Sequence, residues 1–236
     1  MRYLIREMEY EAPVASGRLR LELNDRPTGR VESWRLTLAF DGYHILRIQV
    51  ENADESGQDL LLFHVLFDRN MMFERAKFRC FRSDLEIDGD LQVTHNALSS
   101  TRLLIQRKSG RRERFEEEVV LDPERLVLIP TVSGLSFMLP EDDSNQELSY
   151  YTIDKESAYK LSSGSASLNW GQEESLVVLQ QSVAVRPCLI TFPDGETTLW
   201  VDRRRLPLRF ERNDGLSAHE TAYWRYEPAT KPAQRQ

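Results

Sequence analysis

Turn punctuation constrains this chain more than any other feature. Nine of its eleven glycines follow Ser or Asp: Ser16-Gly17, Asp41-Gly42, Ser56-Gly57, Asp88-Gly89, Ser109-Gly110, Ser133-Gly134, Ser163-Gly164, Asp194-Gly195 and Asp214-Gly215. Glycine reaches positive φ without a steric penalty, and a preceding Ser or Asp can bond the turn backbone. Spread along the whole chain between β-branched and aromatic residues, these pairs predict a succession of antiparallel hairpins.

Alternation agrees. Within residues 31–40 the apolar Trp34, Leu36, Leu38 and Phe40 interleave with Ser33, Arg35 and Thr37. After the Asp41-Gly42 turn, Leu46, Ile48 and Val50 share one face, with Arg47 and Gln49 on the other. A period of two places one set against a core and the other toward solvent. Similar patterns occupy 18–23, 114–121 and 206–212, and 60–67 (LLLFHVLF) is apolar on both faces, as expected of a strand covered on both sides. About a dozen strands are expected. The stretch 122–140 opens with Asp-Pro but is interrupted by Pro130 and Gly134, so it predicts a crossover with a short helix or an irregular plug over the sheet. The acidic run 141–147 is expected to be a solvated loop. The fold class is thus all-β: a strongly curved antiparallel sheet forming an incomplete barrel, as one domain over 1–227 with a disordered tail at 228–236.

Charge and motifs narrow the function. A net charge of −7 disfavours broad electrostatic binding to nucleic acid. Cys80 and Cys188 form no CxxC pair, which points to two buried, reduced thiols and against a zinc cluster. The first ten residues hold Arg2, Arg6, Glu7 and Glu9, so the continuous apolar core of a signal peptide is missing, and a cytoplasmic location with no integral membrane segment is expected. No GxSxG, GxGxxG, Walker loop or HExxH occurs, and no cofactor is expected. His44, His64, His95 and His219 could serve a metal or act as a general base, but none sits in a ligand-spaced cluster, which favours histidines bonded to backbone.

Two further sets of residues are candidates. Arg107, Lys108, Arg111, Arg112 and Arg114 flank one turn, and Arg203, Arg204 and Arg205 form another; they could meet an anionic head group, or simply keep hairpin tips soluble. Trp34, Phe40, Phe63, Phe67, Phe115 and Trp200 are expected to point to one side. In a sheet that curves without closing they would line a concave cleft for a lipid-like ligand; in a flat capped sheet they would be core.

Residues 19–40 (LRLELNDRPTGRVESWRLTLAF), continued by 42–50, resemble the opening hairpins of lipoprotein-carrier-like half-barrel proteins, the LolA/LolB-like superfamily. Residues 195–212 (GETTLWVDRRRLPLRFER) resemble a late hairpin of that group. The resemblance implies an incomplete antiparallel barrel with helical or irregular elements on its concave side, a space there for acyl chains or other apolar moieties, and no catalytic residues. The group is exported, and the N-terminus here departs from it in that respect.

The expected function is a non-enzymatic binding module holding an apolar or amphipathic ligand in the concave cleft, with Arg203–Arg205 or the Lys108 turn meeting a polar head. The alternative is a structural or interaction protein that acts through its sheet edges or as a homodimer, its cleft filled by 122–140. A third option, an enzyme using a carboxylate or histidine in the cleft, rests on titratable residues alone.

Overall fold

The computed structural model describes residues 8–52, 60–122, 125–140 and 144–226. The Ser56-Gly57 turn, part of the acidic run at 141–147 and the tail at 228–236 lie outside the described residues.

The first half is a meander of β1 (Glu11–Leu23), β2 (Arg26–Ala39), β3 (His44–Asn52), β4 (Leu60–Phe67), β5 (Phe73–Phe81), β6 (Leu85–Thr94), β7 (Ala97–Gln106) and β8 (Arg112–Val120). The second half holds β9 (Arg125–Leu128), α1 (Val132–Met138), β10 (Gln146–Asp154), β11 (Lys160–Trp170), β12 (Glu174–Val178), β13 (Gln181–Phe192), β14 (Gly195–Val201), β15 (Pro207–Arg212) and β16 (Leu216–Arg225). Among the described residues sixteen strands therefore stand where about a dozen were expected. The last strand pairs with the first, so the halves merge into one sheet in the order β8 to β1, then β16, β15, β14, β13, β11, β10, β9, with β12 paired to β13 off this path. Pairing is antiparallel except between β9 and β10.

Such a sheet cannot stay flat. The path from β5 to β11 crosses nine strand spacings, roughly 40 Å in a flat sheet at about 4.8 Å each. Yet Phe78 of β5 stacks on Tyr159, the residue before β11, at 5.2 Å between ring centroids. The sheet curls around a single core in which Leu19, Leu46, Phe63, Val65, Ile87, Leu168, Cys188 and Leu199 are all buried.

Among the described residues no backbone ladder joins β8 to β9, which are the two ends of the sheet. Side chains bridge this seam. The Tyr151 hydroxyl donates to the Val120 carbonyl (2.9 Å) and accepts from the Asp122 N–H (3.3 Å). Glu117 accepts from the Leu161 N–H (3.1 Å) and from Arg102 (2.9 Å), while Arg102 also donates to the Ala158 carbonyl (3.0 Å). The barrel is incomplete in its backbone and stapled along the gap.

Four of the glycines read as turn markers are not in turns. Ser133-Gly134 lies in α1, and Gly17, Gly89 and Gly164 lie inside β1, β6 and β11. The reason is steric. A Cβ on Gly17 would stand 2.6 Å from the Trp34 ring, and one on Gly89 would overlap Phe78, so each absent side chain is the seat of an aromatic ring from the neighbouring strand. The turn assignment holds for Asp41-Gly42, Ser109-Gly110, Asp194-Gly195 and Asp214-Gly215, which fall at strand connections. In β4, Leu61, Phe63, Val65 and Phe67 are buried, but Leu62 and Leu66 are only half-buried and His64 is exposed. The expectation of cover on both faces is corrected: among the described residues only one face of β4 is fully buried.

The plug expected within 122–140 is α1, whose seven residues are all buried. A helix this short, taken out of water, must find partners for its leading N–H groups. Thr131 caps it by accepting from the Gly134 N–H (3.0 Å). Glu32 of β2 does the rest: its carboxylate accepts from the Val132 N–H (3.0 Å), the Ser133 N–H (2.7 Å) and the Ser133 hydroxyl. Phe137 then packs edge-on against Trp34 at 5.5 Å. Burial pushes the Glu32 carboxyl above the usual carboxylate range, against the pull of these hydrogen bonds.

Glu220 of β16 is a second acid inside the fold, 6% exposed, with one carboxylate oxygen accepting from the Arg18 N–H and the other unpartnered. Burial pushes its carboxyl up to about 9.

Two outcomes follow from these acids. Glu32→Ala leaves the α1 N–H groups buried without an acceptor, and urea unfolding is expected to show a loss of about 2–4 kcal/mol, with Glu32→Gln less damaging because its carbonyl still accepts. The Glu220 carboxyl is raised in the folded chain. Its contribution to stability is therefore complete below the unfolded pKa near 4.5 and is lost as pH rises toward about 9. Thermal melts of Glu220→Gln across pH 5 to 9 should show a variant whose advantage over the parent grows as pH rises.

Candidate functional site

The hairpin reversals at Asn24, Pro193-Asp194 and Asn213-Gly215, and the turn after β10, gather at one end of the sheet. There a cavity of about 520 Å³ opens on the concave side, beside the N-terminal end of α1. Its wall on the β1–β3 side is Leu21, Glu32 and Val50; its floor is Leu128, Ile129, Val132 and Leu135; its far wall is Phe192, Thr197, Phe210 and Leu216. Period-two alternation explains the apolar wall. Leu21 continues the inward set that includes Leu19, and Phe210 and Leu216 continue the set that includes Ala218. The size is that of an ordinary small-ligand pocket.

Six charged side chains line this space: Arg30, Glu32, Lys155, Asp194, Arg212 and Asp214. Two are neutralised by each other, since Arg212 holds Asp214 through two hydrogen bonds (2.8 and 2.5 Å) and draws its carboxyl down to about 2. Glu32 is spent on α1. Asp194 adds to the upward push that burial exerts on the Tyr150 hydroxyl, and Tyr150 packs edge-on against Phe192 at 5.6 Å. The side chains of Arg30 and Lys155 make no hydrogen bond or ion pair among the described residues. Burial is the main cause that depresses the Lys155 ammonium, Arg30 adds to it, and Glu32 opposes it.

The residues singled out from sequence lie elsewhere. Trp34, Phe63 and Phe67 come together as fully buried core, not as cavity lining. Phe40, at the end of β2, is 82% exposed. Phe115 sits on the edge strand β8, half in solvent, under the Arg102 guanidinium at 5.4 Å. Trp200 alternates with the inward Leu199 and Val201, so it faces the other side of the sheet; there it bonds Glu174 of β12 (2.6 Å) and stacks under Arg209 at 4.9 Å. The expectation that six aromatics share one face is corrected, because a strand end takes Phe40 and the second face takes Trp200, while Phe115 on the edge strand stays half in solvent.

Arg203, Arg204 and Arg205 connect β14 to β15 at the end of β14 away from Asp194-Gly195, about 20 Å along a seven-residue strand. Arg203 pairs with Glu173 (3.3 Å) and Arg205 lies over the Trp170 ring at 4.2 Å. They do not reach the cavity. Its cations are Arg30, Lys155 and Arg212, which sequence reasoning passed over. A signal existed: Phe192, Phe210, Arg212 and Leu216 directly flank the Asp194-Gly195 and Asp214-Gly215 turns, where inward residues of neighbouring hairpins must meet.

Among the described residues no three of His, Cys, Asp and Glu converge as metal ligands, and no helix is long and apolar enough to cross a membrane. A second hollow of about 620 Å³ lies between the β12–β13 hairpin and β15–β16, but Glu22, Asp25, Glu211 and His219 make it the more polar of the two.

No family model matches the chain, and neither does any curated protein. A solved structure does: the crystal structure of a beta-barrel-like protein of the domain of unknown function DUF1849 from Brucella abortus is similar over 91% of this chain and 98% of that one, with a TM-score of 0.52 at 10% identity. At that identity the likeness concerns fold alone, and what it bears out is a barrel-like all-β architecture.

Proposed function

We propose that this protein is a non-enzymatic binding module that holds an apolar or amphipathic, lipid-like ligand on the concave side of its sheet. One observation carries the reading: α1 does not fill the inside of the curl, and aliphatic and phenyl groups from several elements line the 520 Å³ beside it together with a charged set. Covering apolar ligand surface there gains about 25 cal/mol per Å² before ordering costs. The likeness of residues 195–212 to hairpins of lipoprotein-carrier-like proteins supports the same reading, since Phe192, Asp194, Gly195, Thr197, Phe210 and Arg212 of this hairpin region line the space. Action through sheet edges finds less support. The free edge strand β8 carries Arg112, Glu113, Arg114, Glu116, Glu117 and Glu118, and charge on an edge opposes strand addition.

The test is to fill the space. Val50→Phe combined with Leu216→Phe places two phenyl rings in the wall. The double variant is expected to bind an environment-sensitive apolar fluorophore at least tenfold more weakly than the parent, with its melting temperature unchanged or raised. Equal fluorophore binding by a folded double variant would place the apolar site outside this cavity.

A further inference from the structure

The three cations and three anions of the cavity lining are unevenly paired. Arg212 is matched by Asp214, and Glu32 is matched by the α1 N–H groups, so the anions present are largely engaged. Lys155 and Arg30 are not matched: neither side chain has a hydrogen-bonding or ion-pairing partner among the described residues. Lys155 is held half out of water by the turn after β10, whose backbone is tied to the β5–β6 connection by the Arg82 guanidinium on the Lys155 carbonyl (3.4 Å). Removing an ammonium from water without a partner costs free energy that a bound counter-charge returns. Burial most of all, then Arg30 and Arg212, disfavour its charge; Glu32 and Cys80 favour it without bonding it, and the ammonium stays depressed. Asp194, on the β13–β14 turn beside Tyr150, favours the charged form of Arg212.

We infer that the ligand of this cavity is a single apolar chain ending in an anionic group, with the chain against Phe192, Phe210 and Leu216 and the anion between Lys155 and Arg30. This rests on the proposed binding function and adds the chemistry of the head. The anion is a carboxylate or a phosphate monoester; both accept charge-assisted hydrogen bonds from an ammonium and a guanidinium.

Four chain-matched probes separate the outcomes: dodecanoate, dodecyl phosphate, dodecan-1-ol and dodecyltrimethylammonium, each titrated below its micelle concentration by displacement of the same fluorophore. The parent protein is expected to bind at least one of the two anions about tenfold or more tighter than the alcohol, and the cation weakest. Preference between dodecanoate and dodecyl phosphate names the head. Lys155→Met and Arg30→Met are each expected to weaken the preferred anion about tenfold while leaving the alcohol within twofold, and Lys155→Arg to restore most of the loss. Alcohol and anions bound equally well, with no effect of Lys155→Met, would overturn the head-group assignment and leave the apolar cavity standing. Failure of all four probes, and of the fluorophore, would remove the binding function itself.

Discussion

A curled sheet has an inside, and something must occupy it; in this chain that requirement falls on α1 and on the carboxylate that holds it. Seven residues of helix are too few to be stable alone, and the orphan N–H groups of the first turn would be costly in an apolar interior. Glu32 supplies their acceptors from β2, a hundred residues away in sequence. It ties the plug to the first meander, and Ser136 ties the same helix to the β14–β15 connection through the Arg205 carbonyl (2.5 Å). A carboxylate from the first half and a backbone carbonyl from the second thus lock the helix between them. The seam between β8 and the β10–β11 hairpin is closed in the same manner, by Tyr151, Glu117 and Arg102 in place of a ladder.

The position of α1 decides where space is left. The helix, Trp34 and Phe137 fill the middle of the curl. Toward the end where the Asp194-Gly195 and Asp214-Gly215 turns lie, the core stops and the cavity begins. Burying a carboxylate in its wall also shapes its electrostatics. The Glu32 carboxyl spends its hydrogen bonds on backbone and hydroxyl donors of α1, so it bonds neither Arg30 nor Lys155. Structure and proposed function therefore share a cause: the way one short helix is satisfied sets both the packing and the charge of the pocket.

Much of the architecture was legible in the sequence because antiparallel sheets advertise themselves locally. Alternation at Trp34 and Leu36, and again at Leu46 and Ile48, named the inward face correctly, and Pro130 and Gly134 marked the stretch that contains the plug. What failed was the meaning of individual residues whose role is set by a neighbour on another strand. Gly17 and Gly89 look like turn residues until Trp34 and Phe78 are seen lying over them. Trp200 looks like a core aromatic until its alternation with Leu199 and Val201 puts it under β12. The Arg203–Arg205 run is conspicuous as a string, whereas Arg30 and Lys155, isolated in sequence, become neighbours of one cavity only when β2 and the turn after β10 are brought to the same end of the barrel. Charge density along a chain is local; a binding site in a barrel is assembled across it.

The account stands or falls on whether a ligand chain enters that space. A crystal structure of the protein bound to a long-chain carboxylate brominated at its far carbon addresses this directly, because the anomalous signal of bromine marks where the apolar end lies. The account requires a single bromine peak deep between Phe192, Phe210 and Leu135, with the carboxylate within ion-pair distance of Lys155. Bromine bound only on the convex face or beneath the β12–β13 hairpin, with the concave space empty, would contradict it.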